Sequence, residues 1–204
     1  MPKHILDHYP TLKAVWREVW HRPRWYRDSF DELERLFQWS EDPWNFQNSR
    51  YEQDRVRTLL EHVHQYPHDS ILEVGCAEGF MTAELSRIAR QVVAIDVSPT
   101  ALERARQRCP SATFVRTSLQ DFTWDSKFDL VICAETLYYI RDLEPAIDKL
   151  SSLGKFCLVS YNHQKTKRLD PYLFQLTLTN YHKFEKSYWP WKRAMNIAVW
   201  ENNG

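Results

Sequence analysis

One stretch of the sequence, residues 70–96, constrains the fold more than any other. It begins with a short apolar run, Ser70–Val74, and continues into a turn bracketed by Gly75 and Gly79. Apolar residues at three-to-four spacing then predict a helix, and a second apolar run at 92–95 ends at Asp96. A strand, a glycine turn, a helix and a strand that ends in a carboxylate make up half of a dinucleotide-type fold. The chain has only four glycines, so two in one turn are informative.

The rest of the chain alternates predicted strands and helices. Strands are expected at 112–116, 128–134 and 155–161, and helices after the Ser98-Pro99 cap and at 143–153. This alternation predicts a parallel sheet covered on both faces, with ligands at the carboxyl ends of its strands. A further helix is expected at 169–181. Strands at 184–189 and 197–200, joined around Pro190, are expected to form an antiparallel hairpin.

The predicted fold class is therefore α/β, with a doubly wound, Rossmann-like and mostly parallel sheet, a C-terminal antiparallel hairpin and an N-terminal helical extension. We expect one domain of three parts: the extension at 1–40, a cofactor-binding core at 41–161, and C-terminal strands at 162–204 on the acceptor side. Residues 5–40 predict two amphipathic helices broken near Pro23. Their apolar stripe has two interpretations, packing or oligomer contact, and covering of a binding cleft. Farther along, Ser49 and Glu52 have the capping-box spacing that starts a helix.

Composition narrows the classes of partner. Lys and Arg total 27 and Asp and Glu total 27, so no global field attracts nucleic acid or anionic membrane. The four cysteines form no CxxC pair and predict reduced thiols in a cytoplasmic protein, and no window approaches the roughly 20 apolar residues of a membrane span. His64 and His68 have ligand spacing, but Pro67 interrupts their helix, so no metal site is expected. Basic residues outnumber acidic ones in the last fifty, which indicates either a solvated face or an anionic acceptor or partner.

The turn itself indicates the cofactor. Its glycines are four apart, unlike GxGxxG, and Glu73 at the end of the strand precedes them. An acid there would repel a pyrophosphate and attract a cationic or zwitterionic ligand, so S-adenosylmethionine suits the turn better than NAD. Asp96 can accept hydrogen bonds from two ribose hydroxyls.

Four blocks of residues also carry a family resemblance. The blocks are Asp42-Pro43-Trp44, Tyr51-Glu52 with Arg55, residues 72–79 with Ala77 in place of the middle glycine, and residues 134–139. Through these blocks the chain resembles the class I S-adenosylmethionine-dependent methyltransferases and, within them, the nodulation protein S family, over about residues 41–140. The resemblance implies an activity similar to that of an amino-sugar N-methyltransferase acting on a de-N-acetylated chitooligosaccharide.

The resemblance and the motifs together predict a set of cofactor-binding residues. Trp44 and Arg55 are expected to close over the cofactor, with Arg55 pairing with its carboxylate. The usual acid after the third strand is absent, so Ser118 or the backbone would hold adenine beside Leu119. The full set is Trp44, Arg55, Glu73, Gly75, Cys76, Gly79, Asp96, Val97, Ser118, Leu119 and Ala134.

Two residues after the fourth strand are predicted to be catalytic. Methyl transfer to an amine is an in-line displacement, in which alignment supplies most of the acceleration. The attacking amine must be neutral, and Glu135 could receive or orient its proton, although it could instead cap a helix. Tyr138, with Tyr139, offers a stacking face or a hydroxyl contact to a sugar, or packs as core.

Three functions follow from these residues. The first is a small-molecule methyltransferase whose acceptor is an amino sugar; an O-methyltransferase is its variant. The second is a methyltransferase-like scaffold that binds another protein without turnover. The third, a nucleic-acid methyltransferase, is disfavoured because Ala134-Glu135-Thr136-Leu137 stands where an Asn/Asp-Pro-Pro-aromatic motif would. No membrane partner is expected, and a homo-oligomer is left open.

Overall fold

A computed structural model describes residues 30–188 and 191–202 of the chain. Its helices, in chain order, are α1 (Phe30–Trp39), α2 (Arg50–Val63), α3 (Phe80–Leu85), α4 (Pro99–Arg108), α5 (Leu143–Leu153) and α6 (Thr166–Leu173), with 3-10 turns at Leu137–Tyr139 and His163–Lys165. Its strands are β1 (Ser70–Val74), β2 (Gln91–Asp96), β3 (Thr113–Arg116), β4 (Phe128–Ala134), β5 (Gly154–Asn162), β6 (Leu178–Tyr188) and β7 (Trp191–Glu201). The predicted strand, turn, helix and strand at 70–96 are therefore present.

The seven strands form one sheet in the order β3-β2-β1-β4-β5-β7-β6. Strands β1 to β5 are parallel, whereas β7 runs antiparallel to both β5 and β6. The predicted fold class, a Rossmann-like and mostly parallel sheet with an antiparallel C-terminal hairpin, is confirmed. Because β7 is reversed, its first residues lie at the edge of the sheet where β1 to β5 end. Side chains from the C-terminal hairpin can therefore reach a site at that edge.

Local sequence signals explain several of these elements. The Ser49 side chain accepts a hydrogen bond from the Glu52 amide, as the capping-box spacing predicts, and starts α2. Ser98 accepts from the Ala101 amide and precedes Pro99, the first residue of α4. In β1 alternate residues enter two cores: Leu72 belongs to one cluster and Ile71 to the other. Each such buried aliphatic side chain contributes roughly 1.5–3 kcal/mol to stability.

The C-terminal region differs from its prediction in one element. The helix expected at 169–181 ends at Leu173, and residues from Leu178 onward form β6. Leu178 pairs with Trp200 and Tyr181 with Ala198, so strand pairing with β7 satisfies the backbone that the helix would have used. Tyr188 pairs with Trp191, so β6 and β7 form the predicted hairpin, and both strands are longer than expected. The helices predicted within residues 5–29 lie outside the described residues.

Helix α1 is attached to the start of α4 through a carboxylate. Glu34 accepts hydrogen bonds from the Ser98 and Thr100 hydroxyls and from the Thr100 amide. A negative charge is favourable at a helix N-terminus, where backbone amides are unpaired. This contact holds α1 beside the end of β2.

All four cysteines, Cys76, Cys109, Cys133 and Cys157, are buried free thiols. Burial raises the pKa of Cys133 to about 12 and raises the pKa of Cys157 further. In the described part of the chain no helix is long and apolar enough to cross a bilayer.

Candidate active site

A cavity of about 520 Å³ opens at the carboxyl edge of the parallel strands. Helices α1 and α2, the glycine turn, the segments after β2, β3, β4 and β5, and the start of β7 form its wall. The structure brings ten of the thirteen predicted site residues to this wall: Trp44, Arg55, Gly75, Asp96, Val97, Ser118, Leu119, Ala134, Glu135 and Tyr138. Glu73, Cys76 and Gly79 are not among its lining residues.

The glycine turn brings bare backbone to the cavity. Gly75 has φ +77°, and a Cβ atom placed there would lie 2.8 Å from the Cβ of Thr136. Only glycine avoids both the steric overlap and the strain of this conformation. Gly79 also has a positive φ, but the atom nearest to its missing side chain is the Cβ of Ala105 in α4. Gly79 therefore permits the close packing of two helices.

Asp96 fixes the end of β2 against the turn. One carboxylate oxygen accepts from the Ala77 amide at 2.8 Å and the other from the Ser98 amide at 3.0 Å. Burial raises the pKa of Asp96, and the backbone hydrogen bonds oppose that rise. A carboxylate has about four acceptor positions, so Asp96 can still accept from hydroxyl groups in the cavity.

Glu73 lies beneath the turn, outside the cavity lining. It is 3 % exposed and accepts a hydrogen bond of 2.6 Å from the Thr82 hydroxyl of α3. Burial raises its pKa to about 7. Cys76 is likewise buried, in a small cluster with Ala94 and Leu102. These two residues support the turn from below, and the acids at the cavity wall are Glu52, Asp96 and Glu135.

Arg55 supplies a buried cation on the α2 side. Its Nε donates to Glu52 at 2.7 Å, and its side chain is 5 % exposed. The Nη1 atom is buried, and no residue that the structure describes forms a hydrogen bond with it. An unpaired guanidinium nitrogen at a cavity wall is suited to a carboxylate or phosphate oxygen of a ligand.

Glu135 follows β4 and carries the second unpaired polar atom. Its backbone has φ +54°, uncommon for a residue with a side chain, and its amide donates to the Ser160 carbonyl at 2.9 Å. One carboxylate oxygen accepts from the Tyr138 hydroxyl and the Asn162 amide, each at 3.0 Å. The other oxygen, Oε1, is buried and has no hydrogen-bond partner in the described part of the chain. Burial raises the pKa of Glu135, and nearby Arg55 opposes the rise.

A strap of residues 40–48 carries Trp44 over the cavity. The Asp42 amide donates to the Glu78 carboxylate at 2.8 Å, and Glu78 also pairs with Arg104 at 2.7 Å. Trp44 packs edge-on against Phe37 of α1, with ring centroids 5.2 Å apart. The strap is therefore fastened to the glycine turn at one point and to α1 at another.

On the predicted adenine side, the Ser118 hydroxyl donates to Asp121 at 2.6 Å. This hydroxyl is engaged within its own loop, which leaves the backbone and the Leu119 side chain to contact a ring. Among the described residues no group of three or more potential ligands could hold a metal ion.

Sequence reasoning missed several wall residues. Phe37 belongs to the apolar stripe whose role was left open, and Phe30 and Leu33 of the same helix also line the cavity. Asn162 contributes its backbone amide, for which the sequence carries no signal. Arg193 was one of many basic residues in the tail, and only the antiparallel course of β7 brings it to the cavity.

Comparison with known proteins agrees with this architecture. A family model described as Nodulation protein S (NodS) matches residues 28–157. Nodulation protein S of Sinorhizobium fredii is 36% identical over 108 residues, which are 51% of this chain and 50% of that protein. An uncharacterized methyltransferase of Mycobacterium tuberculosis is 28% identical over 116 residues, 55% of this chain and 56% of that protein. The chain spans about half the length of the curated relatives that it matches.

A solved structure shows the same fold. The crystal structure of the N-methyltransferase NodS from Bradyrhizobium japonicum WM9, in complex with S-adenosyl-L-homocysteine, superimposes with a TM-score of 0.73. The sequences are 24% identical, and the match covers 86% of this chain and 98% of that one. The fold is thus that of the class I methyltransferases. Since the family model matches well over half of the sequence, the chain belongs to the nodulation protein S family.

Proposed function

We propose that this protein is an S-adenosylmethionine-dependent methyltransferase that transfers the methyl group to the amine of an amino sugar. One observation carries the proposal: the wall of a single cavity holds two buried atoms of opposite charge, Nη1 of Arg55 and Oε1 of Glu135, that have no hydrogen-bond partner among the described residues. Buried polar groups without partners are rare in proteins, and they indicate a ligand that completes them. The relation to a solved N-methyltransferase supports the same assignment.

The residues present fit S-adenosylmethionine. Arg55 would bind its carboxylate, Asp96 its ribose hydroxyls, and the backbone at Gly75 allows close approach to its chain. The Leu119 side chain offers an apolar contact to adenine, and the backbone beside it offers a polar contact. When bound, the cofactor supplies a methyl group activated by a sulfonium.

Glu135 is placed to act on the acceptor. Its Oε1 can accept a hydrogen bond from an amine, orient the nitrogen lone pair, and take up the proton that the nitrogen must lose. The Tyr138 hydroxyl and the Asn162 amide hold the other oxygen, so the carboxylate is fixed before the acceptor arrives. The Tyr138 and Tyr139 rings, with centroids 4.7 Å apart, offer an aromatic face to a sugar.

Calorimetry with S-adenosylhomocysteine tests cofactor binding. We expect Arg55→Met to weaken binding by about tenfold to a hundredfold, because a hydrogen bond to a charged group contributes about 1.5–3 kcal/mol. Arg55→Lys keeps the charge but lacks the planar guanidinium group, so its affinity for S-adenosylhomocysteine should lie between those of the wild type and Arg55→Met. A folded wild-type protein that binds no S-adenosylhomocysteine at about millimolar ligand would refute the proposal.

Glu135→Gln tests the catalytic assignment. Glutamine keeps the volume and can still accept from Tyr138 and Asn162, but it cannot take a proton. Methyl transfer to glucosamine should fall by about a hundredfold or more while S-adenosylhomocysteine still binds. Equal turnover by the variant and the wild type would remove Glu135 from the mechanism. Transfer to a sugar hydroxyl, identified by mass spectrometry of the product, would favour the O-methyltransferase alternative, and binding without turnover on any acceptor would favour the scaffold.

A further inference from the structure

A ring of basic side chains surrounds the outer part of the cavity. Lys165 follows β5, Lys167 and Arg168 belong to α6, and Arg193 lies near the start of β7. Counting only the described residues and including Arg55, the cavity wall has five basic side chains and three acidic ones, Glu52, Asp96 and Glu135. One of those acids, Glu52, is already paired with Arg55. The outer wall is therefore positively charged, although the whole chain has no net charge.

Two of these cations flank the proposed acceptor position. The Lys165 ammonium lies 5.1 Å from the centroid of the Tyr138 ring, and Tyr138 donates to Glu135. The Arg193 guanidinium carbon lies 5.4 Å from the centroid of the Tyr51 ring, on α2. Cation–π contacts of this kind hold long basic side chains over aromatic surface.

The bound cofactor would make the imbalance larger. The sulfonium and the amino group are positively charged and the carboxylate is negatively charged, so the cofactor adds one net positive charge to the site. The basic side chains of the outer ring attract an acceptor that carries an anionic group more strongly than a neutral or cationic one.

The position of these residues in the chain is also informative. The family model matches residues 28–157, and all four cations of the outer ring come later. The proposed cofactor residues and Glu135 thus lie inside the family match, while the basic side chains of the outer ring belong to the part of this chain outside it.

We propose that the methyl acceptor carries an oxyanion, a carboxylate or a phosphate, in addition to its amine. This inference rests on the proposed function and specifies its substrate class. Glu135 contacts the amine, and the cations of the outer ring, chiefly Lys165, Lys167 and Arg193, contact the oxyanion. The site thus selects small amino sugars or amines that bear an acidic group over neutral oligosaccharides.

The test compares matched acceptors on protein saturated with S-adenosylhomocysteine. Calorimetry measures the affinity for glucosamine, glucosamine 6-phosphate and muramic acid, the last being the carboxylate counterpart. We expect an acidic acceptor to bind about tenfold tighter or more than glucosamine, the gain from one charge-assisted hydrogen bond. The gain should shrink as salt is raised. Preference for phosphate or for carboxylate identifies which oxyanion the site takes.

Charge-reversal variants give the second arm. Lys167→Glu and Arg193→Glu should each remove most of the advantage of the acidic acceptor. Lys149→Glu, which makes the same charge change on α5 outside the cavity lining, should keep it. Equal affinity for all three acceptors, or no binding of any, would overturn the inference. If S-adenosylhomocysteine still binds in that case, the cofactor assignment stands and only the acceptor class is wrong.

Discussion

The buried carboxyl of Glu73 makes a sharp prediction about how stability depends on pH. Burial raises its pKa from the ordinary 4.5 to about 7. The folded protein therefore binds this proton more tightly than the unfolded chain does. The stabilising contribution of the protonated group is fully present below about pH 4.5 and is lost as the pH rises through about 7.

The magnitude follows from that interval. A difference between 4.5 and about 7 corresponds to about 3 kcal/mol of unfolding free energy when the full range is crossed. Between about pH 5 and about pH 8 the loss is about 2–3 kcal/mol. Glu73→Gln removes the titrating group but keeps an oxygen that can accept from Thr82. Between about pH 5 and about pH 8, the free energy of unfolding of the variant should therefore rise by about 2–3 kcal/mol relative to that of the wild type.

Urea unfolding of both proteins at about pH 5 and about pH 8, without ligand, measures this double difference, in which other titrating groups cancel. Glu103→Gln, at an exposed position on α4, serves as a matched control for the replacement of a glutamate by glutamine. A difference between Glu73→Gln and wild type that is the same at both pH values would show that Glu73 titrates normally in the folded protein.

Two further variants test the turn and the strap. Gly75→Ala should lower the free energy of unfolding, measured in urea, by about 2–4 kcal/mol, because it adds left-handed backbone strain and an overlap with Thr136. The double variant that also carries Thr136→Ala should recover only the part of this loss that is due to the overlap. Glu78→Gln removes the buried charge that pairs with Arg104 but can still accept from the Asp42 amide; it should cost about 1–3 kcal/mol and weaken S-adenosylhomocysteine binding. Unchanged affinity in that variant would mean that the strap is held without Glu78.

The fold was largely predictable because its central signals are local. Ser70–Val74 is a strand as predicted, and the caps at Ser49 and Ser98 start helices where expected. The C-terminal region was harder to predict. Whether residues near Leu178 form a helix or a strand depends on pairing with β7, which lies about twenty residues away in the chain.

Site residues were predictable where a sequence motif falls at the carboxyl end of a parallel strand. They were less predictable where the direction of the side chain determines whether it reaches the cavity. Asp96 ends β2 and Glu135 follows β4, and these two parallel strands flank β1, so their meeting at one edge follows from the alternation of strands and helices. Glu73 shares a face of β1 with Ile71, which directs it to Thr82, away from the ligand side. The alternating side-chain directions along β1 therefore indicate that Glu73 faces away from the cavity. The presence of an acid near a glycine does not indicate its direction.

Because all four cysteines are buried, the rate at which each thiol is labelled depends on how often the structure around it opens. Cys133 and Cys157 lie in central strands, whereas Cys76 lies in the glycine turn and Cys109 at the end of α4. A thiol reagent in solution can reach them only when the surrounding structure parts, so each labelling rate reports the free energy of a particular local or global unfolding event. The two central thiols report the whole sheet, and Cys76 reports the turn alone. Ligand occupancy at the turn can thus be followed on the unmodified chain, without an engineered probe.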